Sequence, residues 1–163
     1  IKKLNKYFLR FSLPEGRGDI ASVNKFGKKF KFIDESYNAN PLSMISAIEN
    51  MNNYKVDRNA SKLALLGDML ELGKKSNSLH IKLSKVINKS KIDKVFVYGN
   101  YIKKTYALLS QRKKGKIFNN LGEAHNHFNK IIHNNDLLMI KGSNATGLNQ
   151  FSKNIKKGKP NVI

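Results

Sequence analysis

The chain has 163 residues, 40% of them hydrophobic and 26% charged, enough for one ordinary core and close to the average of folded domains. It contains no cysteine, which excludes disulfides, thiolate-held zinc, iron–sulfur clusters and thiol nucleophiles. A formal net charge of +20 raises nucleic acid as a partner, but the lysines are scattered through every segment and only Arg58 and Arg112 follow Arg17, so no specific nucleic-acid face is expected.

No apolar run approaches the roughly 18–20 residues that cross a bilayer, and no signal-peptide pattern opens the chain. No membrane insertion and a cytoplasmic location are therefore expected. The chain begins at Ile1, not Met, inside a stretch of helical periodicity (Leu4, Tyr7, Phe8, Phe11) that ends at Leu13-Pro14. It is expected to be part of a longer protein.

A turn "PEGRGD" follows, and Lys29 to Glu35 reads as a β run. Pro41 to Asn53 is a helix, with Pro in its first turn and Met44, Ile45, Ile48 and Met51 on one stripe. Strands and helices then alternate. "KLALLGD" is a buried strand, "SNSLHIKLSKVINKS" a helix with a Ser or Asn cap, "KVFVYG" a strand, and "NYIKKTYALLSQ" a helix opened by Asn100. "KIFNN" is a weaker strand, "LGEAHNHFNKIIH" a helix, "DLLMIKGS" a strong strand, and "TGLNQFSKNIKKG" a last helix running into a basic tail. Short apolar strands separated by helices predict an α/β fold: a Rossmann-like, doubly wound, mostly parallel sheet with helices on both faces. Ligands gather at the carboxyl ends of such strands, where the winding reverses.

Those ends carry Asp34-Glu35-Ser36-Tyr37-Asn38-Ala39-Asn40, Gly67-Asp68, Tyr98-Gly99-Asn100 and Lys141-Gly142-Ser143-Asn144. Asp68 and Asn100 suit helix capping. Lys141 with Gly142 and Ser143 before a helix puts a cation, a hydroxyl and free N–H groups in one place, which suits a carboxylate or phosphate oxygen. Arg17 between two glycines offers a guanidinium fork on a loop that a ligand can approach closely. His125, His127 and His133 read as surface residues of one helix without acidic partners, and His80 either faces the crevice or packs beneath it. No metal-ligand set is visible, and no G-x-x-x-x-G-K-[ST] phosphate cradle occurs.

In this order and spacing, "GRG", "IDESYNANPLSM", "LALLGDMLELG" with His80 downstream, and "LLMIKGS" resemble the carboxyl-terminal part of the Mur ligase family. The likeness is to its members that add D-Ala-D-Ala to UDP-N-acetylmuramoyl-tripeptide, and it covers nearly the whole chain. The resemblance implies an ATP-dependent amide-forming ligase of peptidoglycan precursor synthesis, working through an acyl phosphate. Residues 1–16 would be the end of a central ATPase domain, 17–29 an interdomain linker, 30–158 the carboxyl-terminal domain and 159–163 a tail.

By the same resemblance, ATP and Mg2+ are the cofactors, with the Mg2+ ligands upstream. The partners are the two substrates and the amino-terminal and central domains of the same chain, and a monomer is expected. Arg17 would meet ATP phosphates and ribose, and Asp34 or Glu35 the ribose; adjacent strand residues face opposite ways, so one of the two is expected. Tyr37 would lie beside ATP, Asn38 and Asn40 near the reacting amine, and Lys141, Gly142 and Ser143 would hold the dipeptide carboxylate. A nucleotide-binding module and a relative accepting another amine are the alternatives.

Overall fold

The structure, a computed structural model, describes residues 16–157. The helical stretch expected around Leu4 to Phe11 and the basic tail at 159–163 lie outside the described residues. Six strands form one sheet: β1 (Asp19–Lys25), β2 (Lys28–Glu35), β3 (Lys62–Gly67), β4 (Lys94–Tyr98), β5 (Lys114–Phe118) and β6 (Leu137–Lys141). The helices are α1 (Pro41–Asn53), α2 (Ser76–Lys89), α3 (Ile102–Ala107), α4 (Leu121–Ile131) and α5 (Leu148–Lys156).

The strand order is β1-β2-β6-β3-β4-β5. All neighbours are parallel except β1 and β2. The chain winds outward from β3 to β5 and returns to insert β6 between β2 and β3, so the carboxyl ends of those three strands meet where the winding reverses.

Strand alternation divides the core. On one face Ile33, Leu66, Val97 and Met139 pack with Met44, Ile48 and Met51 of α1, Leu83 and Ile87 of α2, and Ile102 of α3. On the other, Phe32, Leu65, Phe96 and Ile140 pack with Phe128 of α4 and Phe151 and Ile155 of α5. Both faces are covered, as the short apolar strands require.

Residues 17–29, expected as a linker, contain β1, an antiparallel strand that extends the sheet at the β2 edge. Its hairpin turn is Phe26-Gly27, with φ of 60° and 68°, the backbone of a two-residue turn usually marked by Asn-Gly or Asp-Gly. The turn signal was absent and the strand half-exposed, which hid it.

Two helix starts also differ from expectation. No side chain caps α2. Asn100 does not cap α3; the Asp68 carboxylate, at the end of neighbouring β3, accepts from the N–H groups of Asn100 (2.9 Å) and Ile102 (2.7 Å). That contact requires glycine at 99, where φ is +140° and a Cβ would lie 2.5 Å from the Asp68 carboxyl.

The histidines are less superficial than predicted. His127 is half-buried, its ring centroid 5.4 Å from that of Phe96 and 5.5 Å from that of Phe118, and burial lowers its pKa. His133 lies beyond the end of α4. Part of the lysine excess is also interior: Lys62 Nζ donates to Met51 O and Asn52 O at the end of α1, both at 2.9 Å, and Lys113 Nζ donates to Ser90 O at 2.7 Å.

Candidate functional site

At the end of β2 the alternation sends Asp34 and Glu35 to opposite faces. Asp34 turns under the sheet. Its Oδ2 lies 2.8 Å from Lys156 Nζ of α5, and Lys156 also reaches Asp19 Oδ2 of β1 at 2.6 Å. Its Oδ1 accepts from Ser36 Oγ at 2.6 Å and Ser36 N at 3.1 Å. Burial alone would raise the Asp34 carboxyl, but the hydrogen bonds from Lys156 and Ser36 hold it below the ordinary aspartate range. Asp34 thus shapes the loop that follows, and Glu35 is left as the crevice-facing acid of the pair.

Glu35 Oε2 lies 3.3 Å from Lys141 Nζ, and Lys141 also donates to Asn38 O at 3.0 Å. The lysine is 1% exposed. Burial pulls its pKa below the ordinary lysine value, opposed by the Glu35 charge. Lys141, expected to help hold a substrate carboxylate, directs its ammonium to the Glu35 carboxylate and the Asn38 carbonyl. Gly18, just before β1, closes over Glu35: with φ of +89°, a Cβ there would lie 2.7 Å from Glu35 Oε1.

Arg17 and Tyr37 come together at the rim. The guanidinium carbon stands 4.7 Å from the centroid of the Tyr37 ring, a cation–π stack that orients the fork while leaving it exposed. The Tyr37 N–H donates to Gly16 O at 3.2 Å, and the Gly18 N–H to Asp34 O at 2.7 Å. Residue 17 is thereby fixed to the loop after β2.

Asn40 is committed to the start of α1. Its Oδ1 accepts from Ser43 N (2.9 Å) while Ser43 Oγ accepts from Asn40 N (3.0 Å), a reciprocal capping box. Ser143 ties the strand ends together. Its N–H donates to Asp68 O (3.0 Å), and its hydroxyl accepts from Leu70 N (3.0 Å) and donates to Ala39 O (3.4 Å). Gly142 and Gly67 face each other beneath Leu148; a Cβ on Gly142 would lie 2.6 Å from Leu148 Cδ1 and 3.1 Å from Gly67 Cα.

The first four residues of the "GDMLELG" motif each have a separate task. Gly67 permits the close strand approach, Asp68 caps α3, and the Met69 N–H donates to His80 Nε2 at 3.0 Å. His80 is fully buried and its Nδ1 donates to Ser76 O at 2.7 Å, so the ring packs beneath the crevice. Leu70 binds Ser143. Glu71 then takes a left-handed conformation, φ 63°, uncommon for a non-glycine residue.

Above this floor lies an open cleft of about 330 Å³ lined by Tyr37, Asn38, Leu70, Glu71, Ser143, Asn144 and Ala145. The predicted Tyr37, Asn38 and Ser143 line it; Arg17 stacks on its rim; Glu35, Lys141, Gly142 and Asn40 stand behind or beside it. Sequence reasoning assigned no role to Leu70 and Glu71, although they sit inside a quoted motif. Their meaning depends on the bend after β3, which sequence did not define.

Residues 17–144 match the family described as "Mur ligase, glutamate ligase domain". The chain is 33% identical over 146 residues to the UDP-N-acetylmuramoyl-tripeptide--D-alanyl-D-alanine ligase of Rickettsia prowazekii (strain Madrid E), an alignment covering 90% of this chain and 31% of that protein. The ligase of the same description from Bacillus subtilis (strain 168) is 43% identical over 70 residues, covering 41% of this chain and 14% of the relative. Among solved structures, a MurF from Acinetobacter baumannii superposes with a TM-score of 0.75 at 20% identity, covering 96% of this chain and 34% of that one. The MurF ligase from Thermotoga maritima in complex with ADP superposes with a TM-score of 0.72 at 20% identity, over 91% of this chain and 33% of that one. The chain thus spans about a third of the length of such relatives, and with the family match running from Arg17 to Asn144 it belongs to the Mur ligase family, whose glutamate ligase domain it carries.

Proposed function

We propose that this chain is the carboxyl-terminal domain of an ATP-dependent amide-forming ligase that joins D-Ala-D-Ala to UDP-N-acetylmuramoyl-tripeptide in peptidoglycan precursor synthesis. The observation that carries the reading is the exposed Arg17–Tyr37 stack at the rim of an open cleft that Tyr37 itself begins and that runs on to Asn38, Glu71 and Ser143. A nucleotide and a small amine substrate need two neighbouring places, such as this rim and cleft. The relatives named for this reaction, and the ADP complex of one structural neighbour, support it.

ATP, when bound, supplies the phosphoryl group that activates the tripeptide carboxylate as an acyl phosphate. Arg17 offers the phosphates a bidentate fork that needs no proton exchange. Tyr37 holds that fork in orientation, and Glu35 is the carboxylate placed for a ribose hydroxyl. Asn38 presents its side chain at the cleft while its carbonyl is held by Lys141. Lys141 and Ser143 serve the dipeptide side by fixing the loops, and Asn40 does so by fixing α1. Among the described residues no group of three or more His, Cys, Asp and Glu side chains gathers to hold a metal; the magnesium ligands are assigned to the upstream part of the longer protein, and no step is derived through the ion.

The test is ligation by the full-length protein carrying this chain, with D-Ala-D-Ala compared against single amino acids. Product with the dipeptide is expected; product with single amino acids only overturns the substrate assignment.

A further inference from the structure

The carboxylates at the strand ends are almost all committed. Asp34 is spent on Lys156 and Ser36, Glu35 on Lys141, and Asp68 on the amides opening α3. Glu71 is different. It is exposed, it lines the cleft, and in a chain of 31 lysines and arginines it has no ion pair or side-chain hydrogen bond among the described residues. It is also the one charged side chain among the residues lining that cleft.

Its placement is over-determined. Met69 N is held by His80, Leu70 N by Ser143 Oγ, and Gly73 turns with φ +53°. Between these fixed points Glu71 adopts its left-handed backbone, a conformation that persists where the surroundings impose it and that clusters at ligand sites.

We propose that Glu71 is a specificity-determining residue whose carboxylate binds the cationic amino terminus of the incoming amine substrate. This rests on the ligase reading above. An amino-terminal ammonium is the positive group such a substrate must bring, and a lone carboxylate among otherwise uncharged lining residues recognises it by charge-assisted hydrogen bonds. The dipeptide's own carboxylate would be disfavoured at this spot, so Glu71 also sets which end of the substrate enters.

The full-length ligase carrying Glu71→Gln tests this. The KM for D-Ala-D-Ala is expected to rise about tenfold, equivalent to about 1.4 kcal/mol, with the KM for ATP unchanged. N-acetyl-D-Ala-D-Ala, which has no ammonium, is expected to inhibit parent and variant equally. Glu71→Asn, which tolerates the left-handed backbone, gives a second variant if the first folds poorly, and Glu71→Asp is expected to recover part of the affinity. An unchanged dipeptide KM overturns the inference, as does an equal loss of affinity for the dipeptide and its N-acetyl form. A parent that ligates a different amine overturns the substrate reading alone, since the Glu71 effect is then read on that amine; a parent that ligates none overturns both.

Discussion

Glu35 and Lys141 are direct register partners on the parallel strands β2 and β6, and their side chains meet at 3.3 Å on the crevice side of the sheet. The acid keeps some solvent contact, with 20% of its side chain exposed, while the lysine has 1%. Removing the acid therefore strands a buried ammonium, whereas removing the lysine leaves an acid that water can still reach.

Glu35→Ala is expected to destabilise the protein by about 2–3 kcal/mol, less than the loss typical of a fully buried pair. Lys141→Met is expected to be milder, and the double variant less destabilised than the sum of the two singles. Urea unfolding of the four proteins measures this; strict additivity would mean the pair does not interact.

The Arg17–Tyr37 stack gives a graded prediction for nucleotide binding. An exposed cation–π contact contributes about 0.5–1 kcal/mol, so Tyr37→Ala should raise the ATP KM of the full-length ligase about two- to fivefold. Tyr37→Phe keeps the ring and should leave it unchanged. Arg17→Lys loses the planar fork and should resemble loss of the arginine.

Asp34 predicts acid sensitivity. Its folded pKa lies below the ordinary value of 3.8, so the unfolded chain binds more protons as pH falls through that region. The stability contributed by the ionised group is full above 3.8 and is lost as pH falls from there through the lower folded value. Asp34→Asn should remove this segment of the pH dependence. Thermal unfolding of both proteins across the acid range checks it, and an identical acid limb in the two would refute it.

The glycine pair under Leu148 predicts a rank order. Gly142→Ala would meet both Leu148 and the Gly67 backbone, the latter at 3.1 Å, while Gly67→Ala would meet the Gly142 backbone only at 3.5 Å. Overpacking of this kind costs about 1–3 kcal/mol, with Gly142→Ala at the upper end. Leu148→Ala should relieve Gly67→Ala more fully than Gly142→Ala, because only the latter also presses on backbone.

Much of the sheet was legible because its strands are continuous apolar runs and its helices carry clear stripes: Pro41 to Asn53 is the helix predicted, to the residue. β1 was not legible, since Phe26-Gly27 carries no ordinary turn signature. In the site, the strand-end rule located the right loops, and alternation announced that Asp34 and Glu35 would part. Sequence could not say which faced the crevice, because the partner that receives Asp34 is Lys156, more than a hundred residues away. Nor could it show that Lys141 turns inward, since burial of its ammonium depends on Glu35 of β2 and the Asn38 carbonyl of the following loop.

The stitching of Gly16 to Tyr37 and of Gly18 to Asp34 makes the Arg17 fork, the Tyr37 ring and the Glu35 carboxylate a single prefabricated jaw. These groups keep their mutual spacing and reach a ligand together. Their contributions to affinity should therefore rise and fall as a set, so that loosening the stitch at Gly16 or Gly18 would weaken all of them without removing one contacting atom.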